Sequence, residues 1–248
     1  MTVELLAPAK LTLGLRIVGV RPDGYHEIDA EMVSLDLCDR LVLSEGSGLT
    51  VVRGEEATPG DPDDLVVRAL DLVGRRAAVV LHKRIPAGAG LGGGSSDAAA
   101  ILRWAGFDDP ERASRLGADV PFCIRGGRAR VRGIGERLEP LPHQPRTFTL
   151  LTPPVHCSTP VVYRRWDELG GPEGDHGNDL EPAALSAYPE LAEHRDRLWE
   201  LAGERPRLAG SGSTWFVEGA HHGPGLVVAS TLPAEPVGGL PLGGAGSG

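Results

Sequence analysis

The chain has 248 residues, 41% hydrophobic and 24% charged, and its 25 Lys and Arg against 34 Asp and Glu give a net charge of −9. That length suffices for one large domain or two small lobes around a shared core. The acidic balance argues against nucleic acid or an acidic membrane as a partner, yet leaves room for a local basic site facing an anionic small molecule. No apolar run approaches the roughly 18 residues that would cross a bilayer, and the opening MTVELLAPAK lacks the basic-then-apolar order of a secretory signal. A cytoplasmic enzyme is the expectation. Cys38, Cys123 and Cys157 are widely spaced among apolar neighbours, which reads as buried free thiols rather than a disulfide framework or a zinc site.

The first 53 residues read as strands: Leu11, Leu13, Leu15 and Ile17 alternate with Thr12, Gly14 and Arg16, a period-two pattern. RPDGY (21–25) interrupts it with turn chemistry, and short strands are expected over 31–37, 40–44 and 49–53. A Gly/Glu/Pro/Asp-rich loop (54–62) precedes DDLVVRALDLV, an amphipathic helix that Asp63 or Asp64 can N-cap. AAVVLHK (77–83) reads as a strand and Ala98–Trp104 as a helix, with a glycine loop between them. VPFCI (120–124), the region 128–131 and TFTLLT (147–152) read as extended. Helices are expected around 160–169, 179–187 and 190–202, and strands near 214–218 and 226–230. The tail from Pro233, ending GGLPLGGAGSG, is expected to be mobile and to carry no chemistry.

The loop PAGAGLGGGSSD (86–97) carries the clearest chemistry. Glycine lets a backbone approach a ligand closely and adopt positive φ without steric cost. The following helix offers unpaired N–H groups and the positive end of its dipole, together an anion site. Ser95 and Ser96 at the helix start can donate to phosphate oxygens or help to hold Mg2+. No Lys follows the glycines, which disfavours the Walker A loop, and the dinucleotide fingerprint fits only when forced onto Gly88, Gly90 and Gly93.

The same segment resembles the nucleotide loop of the kinases related to galactokinase, homoserine kinase and mevalonate kinase, the GHMP superfamily. Four further segments, in order, resemble one branch of it: PAKLTLGLRIVGVRPDGYHEI (8–28), LGADVPF (116–122), GNDLEPAAL (177–185) and GSGST (210–214). The resemblance implies an α+β fold in two lobes. The N-terminal lobe (1–146) is strand-rich and the C-terminal lobe (147–232) is an α/β sandwich, with 233–248 as a flexible tail. The implied reaction is ATP-dependent phosphorylation of the 2-hydroxyl of a diphosphocytidyl-linked methylerythritol, a step of the non-mevalonate route to isoprenoid precursors. In this reading Asp119 is the general base and Lys10 its cationic partner. Pro86, Gly88, Gly90, Leu91, Gly92, Gly93, Gly94, Ser95 and Ser96 hold ATP. Thr12, Tyr25, His26, Gly210, Ser211 and Gly212 hold the substrate, with Tyr25 and His26 at its cytidine end. Mg2+ is implied by the need to bring two polyphosphates together, without a nameable protein ligand. The expected partner is the small cytidine diphosphate substrate, and the chain a monomer or homodimer.

Two positions depart from the branch's pattern. Thr12 stands where an Asn is usual, and Asp64 replaces the Asn that opens the helix near adenine. The stretch 107–118 and the chain after Phe216 are short for the branch. Two alternatives share the fold: a GHMP kinase for another small alcohol, which the DGYHE turn argues against, and a catalytically silent nucleotide- or ligand-binding protein, which would be expected to have lost Lys10 or Asp119. Arg128, Arg130 and Arg132 share one strand face and read as an exposed surface rather than as part of the site.

Overall fold

The computed structural model describes residues 2–234, so the tail expectation falls largely outside the described residues. Among the described residues, eleven strands join into one hydrogen-bonded sheet system. Its spine is β2 (His26–Ser44), which the sequence pattern had divided into two strands. Along its length β2 pairs antiparallel with β1 (Val3–Val20). On its other side it meets β5 (Ala78–His82) and β6 (Arg128–Gly133). The strands β3 (Gly48–Arg53) and β4 (Glu56–Pro59) extend the sheet beyond β5, β4 forming within the stretch expected to be a loop. Beyond β6 lies β7 (Arg137–Leu141).

In the C-terminal half, β8 (Thr147–Leu151) is flanked by β10 (Trp215–Glu218) and β11 (Leu226–Leu232), and the two-residue β9 (Arg207–Leu208) pairs with β10. Strand β11 also pairs with β2 through Thr231 and Leu232, so one strand belongs to both halves of the molecule. The helices pack on the sheets: α1 (Leu65–Leu72), α2 (Gly93–Trp104), α3 (Pro110–Ser114) and α4 (Val120–Arg125), then α5 (Thr159–Glu168), α6 (Glu181–Ala187) and α7 (Leu191–Ala202). Helix α2 carries the densest apolar face, with Ala98 to Leu102 all at or below 1% exposure. A five-residue alanine-rich run lets it lie close against β1 and β2.

Residues 120–124 form helix α4 rather than a strand. A short, wholly buried apolar run carries no periodicity that separates helix from strand. Pro121 in the first turn and Gly126 after the last, at φ 67°, fit a helix start and stop. The arginine face of β6 is an ion-pair ladder: Arg128 binds Glu31, Arg130 binds Asp29, and Arg132 reaches Asp29 and Glu139. Cys123 and Cys157 are buried and Cys38 is half-buried, none of them in a disulfide.

One side chain ties three parts of the chain together. Asn178, 3% exposed, donates from Nδ2 to the carbonyls of Leu208 and Gly210, and its Oδ1 accepts from the Leu180 N–H. Its neighbours bond to β1, the Leu15 N–H donating to the Gly177 carbonyl and the Asp179 N–H to the Leu15 carbonyl. The 177–185 segment thus clamps the 210–214 loop to β1. Asn178→Ala would leave three buried backbone groups unpaired and is expected to lower stability by about 2–3 kcal/mol in urea unfolding, against a few tenths for Asp175→Ala on the same loop's exposed side.

Candidate functional site

A cavity of about 500 Å3 opens where β1, the glycine loop, α2, α4 and the 210–214 loop converge. Lys10 enters it from β1. Burial of an ammonium in a sheet demands a counter-charge, and the partner is Asp119, whose Oδ2 lies 3.1 Å from Lys10 Nζ. Asp119 stands at the N-cap position of α4 but makes no capping hydrogen bond, so its carboxylate, 28% exposed, is left for the lysine and the cavity. Lys10 Nζ also donates to Thr12 Oγ1 at 3.2 Å. A register shift between Pro8 and Lys10 breaks the regular pairing of β1 with β2 at this point.

The glycine loop is stitched in from both sides. The Lys10 N–H donates to the Leu91 carbonyl, and the Thr214 N–H to the Ala89 carbonyl. Two glycines are required by this closeness. A Cβ on Gly92, at φ +68°, would lie 2.7 Å from Lys10 Cγ, and one on Gly90, at φ +74°, 2.5 Å from the Ala209 carbonyl oxygen. Gly92 precedes α2 without a side-chain cap, which leaves the first-turn N–H groups facing the cavity at the positive end of the helix dipole. Opposite, a Cβ on Gly210 would be 3.8 Å from Lys10 Nζ and 3.7 Å from Thr12 Oγ1, and Ser211 Oγ shares a hydrogen bond with Thr159 Oγ1.

Of the residues singled out by sequence, Lys10, Asp119, Thr12, His26, Pro86, Gly88, Gly90, Gly92, Gly93, Gly94, Ser95, Gly210, Ser211 and Gly212 line this one cavity. Three expected there do not. Leu91 is buried in an apolar cluster, and it serves the site through its backbone. Ser96 is fully buried and its hydroxyl donates to the Pro8 carbonyl at 2.6 Å, tying α2 to β1 rather than facing a ligand. Tyr25 is 60% exposed and lies outside the cavity lining. The phenol in the wall belongs instead to Tyr163 of α5, whose pKa burial, and next the Asp119 charge, push upward. His26 is held by α5 as well, with its Nε2 2.8 Å from Asp167 Oδ1 and its ring 4.9 Å from that of Tyr163 and 5.4 Å from Trp166. No sequence signal links α5 to the DGYHE turn, which lies well over a hundred residues away.

A second polar group in the wall also escapes the sequence pattern. Lys83 Nζ is paired with Asp39 and, at 2.6 Å, with Asp97 Oδ2. Burial, opposed by Lys83 and reinforced by the nearby Asp39 charge, pushes Asp97 up to about 7. Lys83 is itself raised: burial disfavours its charge, but Asp97 and Asp39 outweigh it. A lone lysine ending an apolar strand three residues before the glycine loop was the legible signal. Asp64 caps α1 through the Val66 N–H at 2.8 Å and lines the same cavity. Among the described residues no cluster of three or more His, Cys, Asp or Glu side chains could hold a metal.

Residues 64–127 match the model for the GHMP kinases N terminal domain. The chain is 40% identical to 4-diphosphocytidyl-2-C-methyl-D-erythritol kinase of Paracoccus denitrificans, over 85% of this chain and 84% of that one. Against the enzyme of the same name from Thermus thermophilus it is 38% identical, over 89% and 90%. The chain belongs to the 4-diphosphocytidyl-2-C-methyl-D-erythritol kinase family. A crystal structure of 4-(cytidine 5'-diphospho)-2C-methyl-D-erythritol kinase superposes with a TM-score of 0.70 at 34% identity, covering 92% of this chain and 98% of that one. A mevalonate kinase structure, at 10% identity and a TM-score of 0.54, shares the fold. The α+β GHMP-kinase fold is therefore established for this chain, and no helix among the described residues is long and apolar enough to cross a membrane.

The Asp97 environment fixes the sign of a pH effect. A carboxyl raised from 3.8 to about 7 binds an extra proton in the folded state between those values, so its contribution favours folding at low pH and is lost as pH rises through 7. Asp97→Asn removes that dependence and leaves one ammonium with one carboxylate. Urea unfolding at pH 5 and pH 8 is expected to show the variant gaining stability relative to wild type at the higher pH.

Proposed function

We propose that this chain transfers the γ-phosphoryl group of ATP to the 2-hydroxyl of 4-diphosphocytidyl-2-C-methyl-D-erythritol. The observation that carries the reading is the 3.1 Å contact between Lys10 and Asp119 in a cavity shared by the glycine loop and the 210–212 loop, within a chain of this family. The triphosphate lies over the first turn of α2, where the N–H groups of Gly93 to Ser95 and the helix dipole meet its negative charge. The acceptor hydroxyl sits between Asp119 and the γ-phosphorus. Its oxygen attacks phosphorus in line, the bond to the β–γ bridging oxygen breaks, ADP leaves, and the proton passes to Asp119.

Lys10 orients that carboxylate and steadies charge on the attacking oxygen and the phosphoryl group. Thr12 holds the ammonium from the other side and offers its hydroxyl to the acceptor. The N–H groups of the 210–212 loop face the same space and suit the diphosphate. His26, fixed by Asp167 and flanked by the rings of Tyr163 and Trp166, supports placing the cytidine end there. Cys157 also lines the cavity, and burial, followed by the Glu190 charge, pushes its thiol up to about 11, which leaves it protonated and unsuited to act as a nucleophile.

Mg2+ would neutralise the phosphate charge when bound. With no carboxylate cage among the described residues, the fit is to an ion held chiefly by phosphate oxygens, with the Ser95 hydroxyl and the Asp119 carboxylate among the oxygen donors lining the cavity.

A panel of diphosphocytidyl-methylerythritol, mevalonate and homoserine with Mg·ATP, read by ADP release and product mass, tests the reading. Phosphate gain on the first compound alone is expected. Asp119→Asn should lower kcat by about 10²- to 10⁴-fold with ATP binding retained. Turnover of another alcohol instead would overturn the substrate, and binding without turnover in the wild type would overturn the activity.

A further inference from the structure

The connector between β8 and α5 touches both glycine-rich loops, and one of its side chains takes no part in phosphoryl transfer. Pro153 and Pro154 restrict the backbone that enters it. Val155 packs against the main apolar cluster and Cys157 belongs to that cluster. The Ser158 N–H then donates to the Tyr188 hydroxyl at 3.0 Å. Residue 156 therefore springs from a backbone that is anchored on both sides.

That residue is His156. It is exposed, and among the described residues its imidazole has no hydrogen-bond or ion-pair partner. What it does touch is the glycine loop. A Cβ on Gly88, at φ +67°, would lie 2.0 Å from His156 Nδ1, 2.5 Å from Cε1 and 2.8 Å from Cγ, so the ring rests directly on the Gly88 backbone. Among the described residues Gly88 makes no backbone hydrogen bond of its own, which leaves packing to hold it. Glycine has the most conformational freedom to lose. The same connector reaches the opposite loop. A Cβ on Gly212 would lie 3.5 Å from Cys157 Sγ, and Thr159 Oγ1 is 2.9 Å from Ser211 Oγ. Gly88 lines the cavity and His156 does not, so the imidazole acts on a ligand only through the loop.

We propose that His156 is a positioning residue, whose ring props Gly88 at the spacing from the 210–212 loop that receives a triphosphate. The proposal rests on the reading of the cavity as a nucleoside triphosphate site, and it adds a residue that touches neither substrate. The role is one of shape, because the ring meets backbone and no charged partner. Without the prop, ATP must order the loop as it binds, and that cost is subtracted from its affinity. Lys10 and Asp119 keep their contact, so the chemical step is spared.

Equilibrium binding and steady-state kinetics on the full chain test it, using ATP and diphosphocytidyl-methylerythritol. His156→Ala is expected to raise Kd and KM for ATP about fivefold. Its kcat at saturating ATP, and its Kd for the cytidyl substrate, should stay within about twofold of wild type. His156→Phe, which keeps a flat ring, should recover most of the ATP affinity. Gly88→Ala should weaken ATP binding more in the wild type than in the His156→Ala background, where its Cβ no longer meets the ring. Unchanged ATP binding in His156→Ala overturns the proposal alone. A loss that His156→Phe does not recover, a fall in kcat at unchanged KM, or additive losses for Gly88→Ala and His156→Ala also overturn it. Failure of the wild type to bind ATP overturns the reading of the cavity and the proposal together.

Discussion

A lysine ammonium buried to 6% exposure within a β-sheet is the constraint around which this molecule is organised. Its desolvation is offset only by a counter-charge held at close range and by further acceptors, and the fold supplies these from separate parts of the chain. The strand β1 brings Lys10, the start of α4 brings Asp119, and Thr12 adds a hydroxyl. Asp119 remains available because its carboxylate does not cap its own helix. A base and its cation are thereby held in contact on a wall that two glycine loops also share, and this is the pre-arranged geometry that phosphoryl transfer requires.

The approach of the loops follows from the same constraint. Side chains at Gly90 or Gly92 would occupy the space of the Ala209 carbonyl or of the lysine stem, so the glycine-rich sequence serves packing as well as phosphate. Ser96 belongs to the scaffold, since its hydroxyl fastens α2 to β1 two residues before Lys10. Asn178 does the same for the opposite loop. The cavity therefore has a braced frame, with the Lys10–Asp119 and Lys83–Asp97 pairs both in its lining.

Much of this was legible in the sequence, for identifiable reasons. Helix boundaries followed caps, as with Asp64 before α1, and strands followed alternation. The glycine loop is legible from its composition, whereas Lys10 and Asp119 stand out only through the resemblance of their segments to the GHMP kinases. The strand assigned to 120–124 is a helix because five consecutive apolar residues have no period to read. Tyr25, which its motif assigns to the cytidine end, is exposed outside the cavity lining, and Tyr163 lines the wall, a position that only the packing of α5 against His26 reveals. The Asp39–Lys83–Asp97 group joins three elements, and no local pattern predicts which charges a fold will bring together. Asp97 stands inside the quoted loop, but the direction of its side chain depends on where β5 ends.

The most direct test of the account is a double-mutant cycle on kcat with Lys10→Met, Asp119→Asn and the pair, using diphosphocytidyl-methylerythritol and Mg·ATP. If base and cation act as one unit, the double variant loses little more than the worse single variant. Losses that multiply, or single variants that keep wild-type kcat, would contradict a catalytic centre built on this contact.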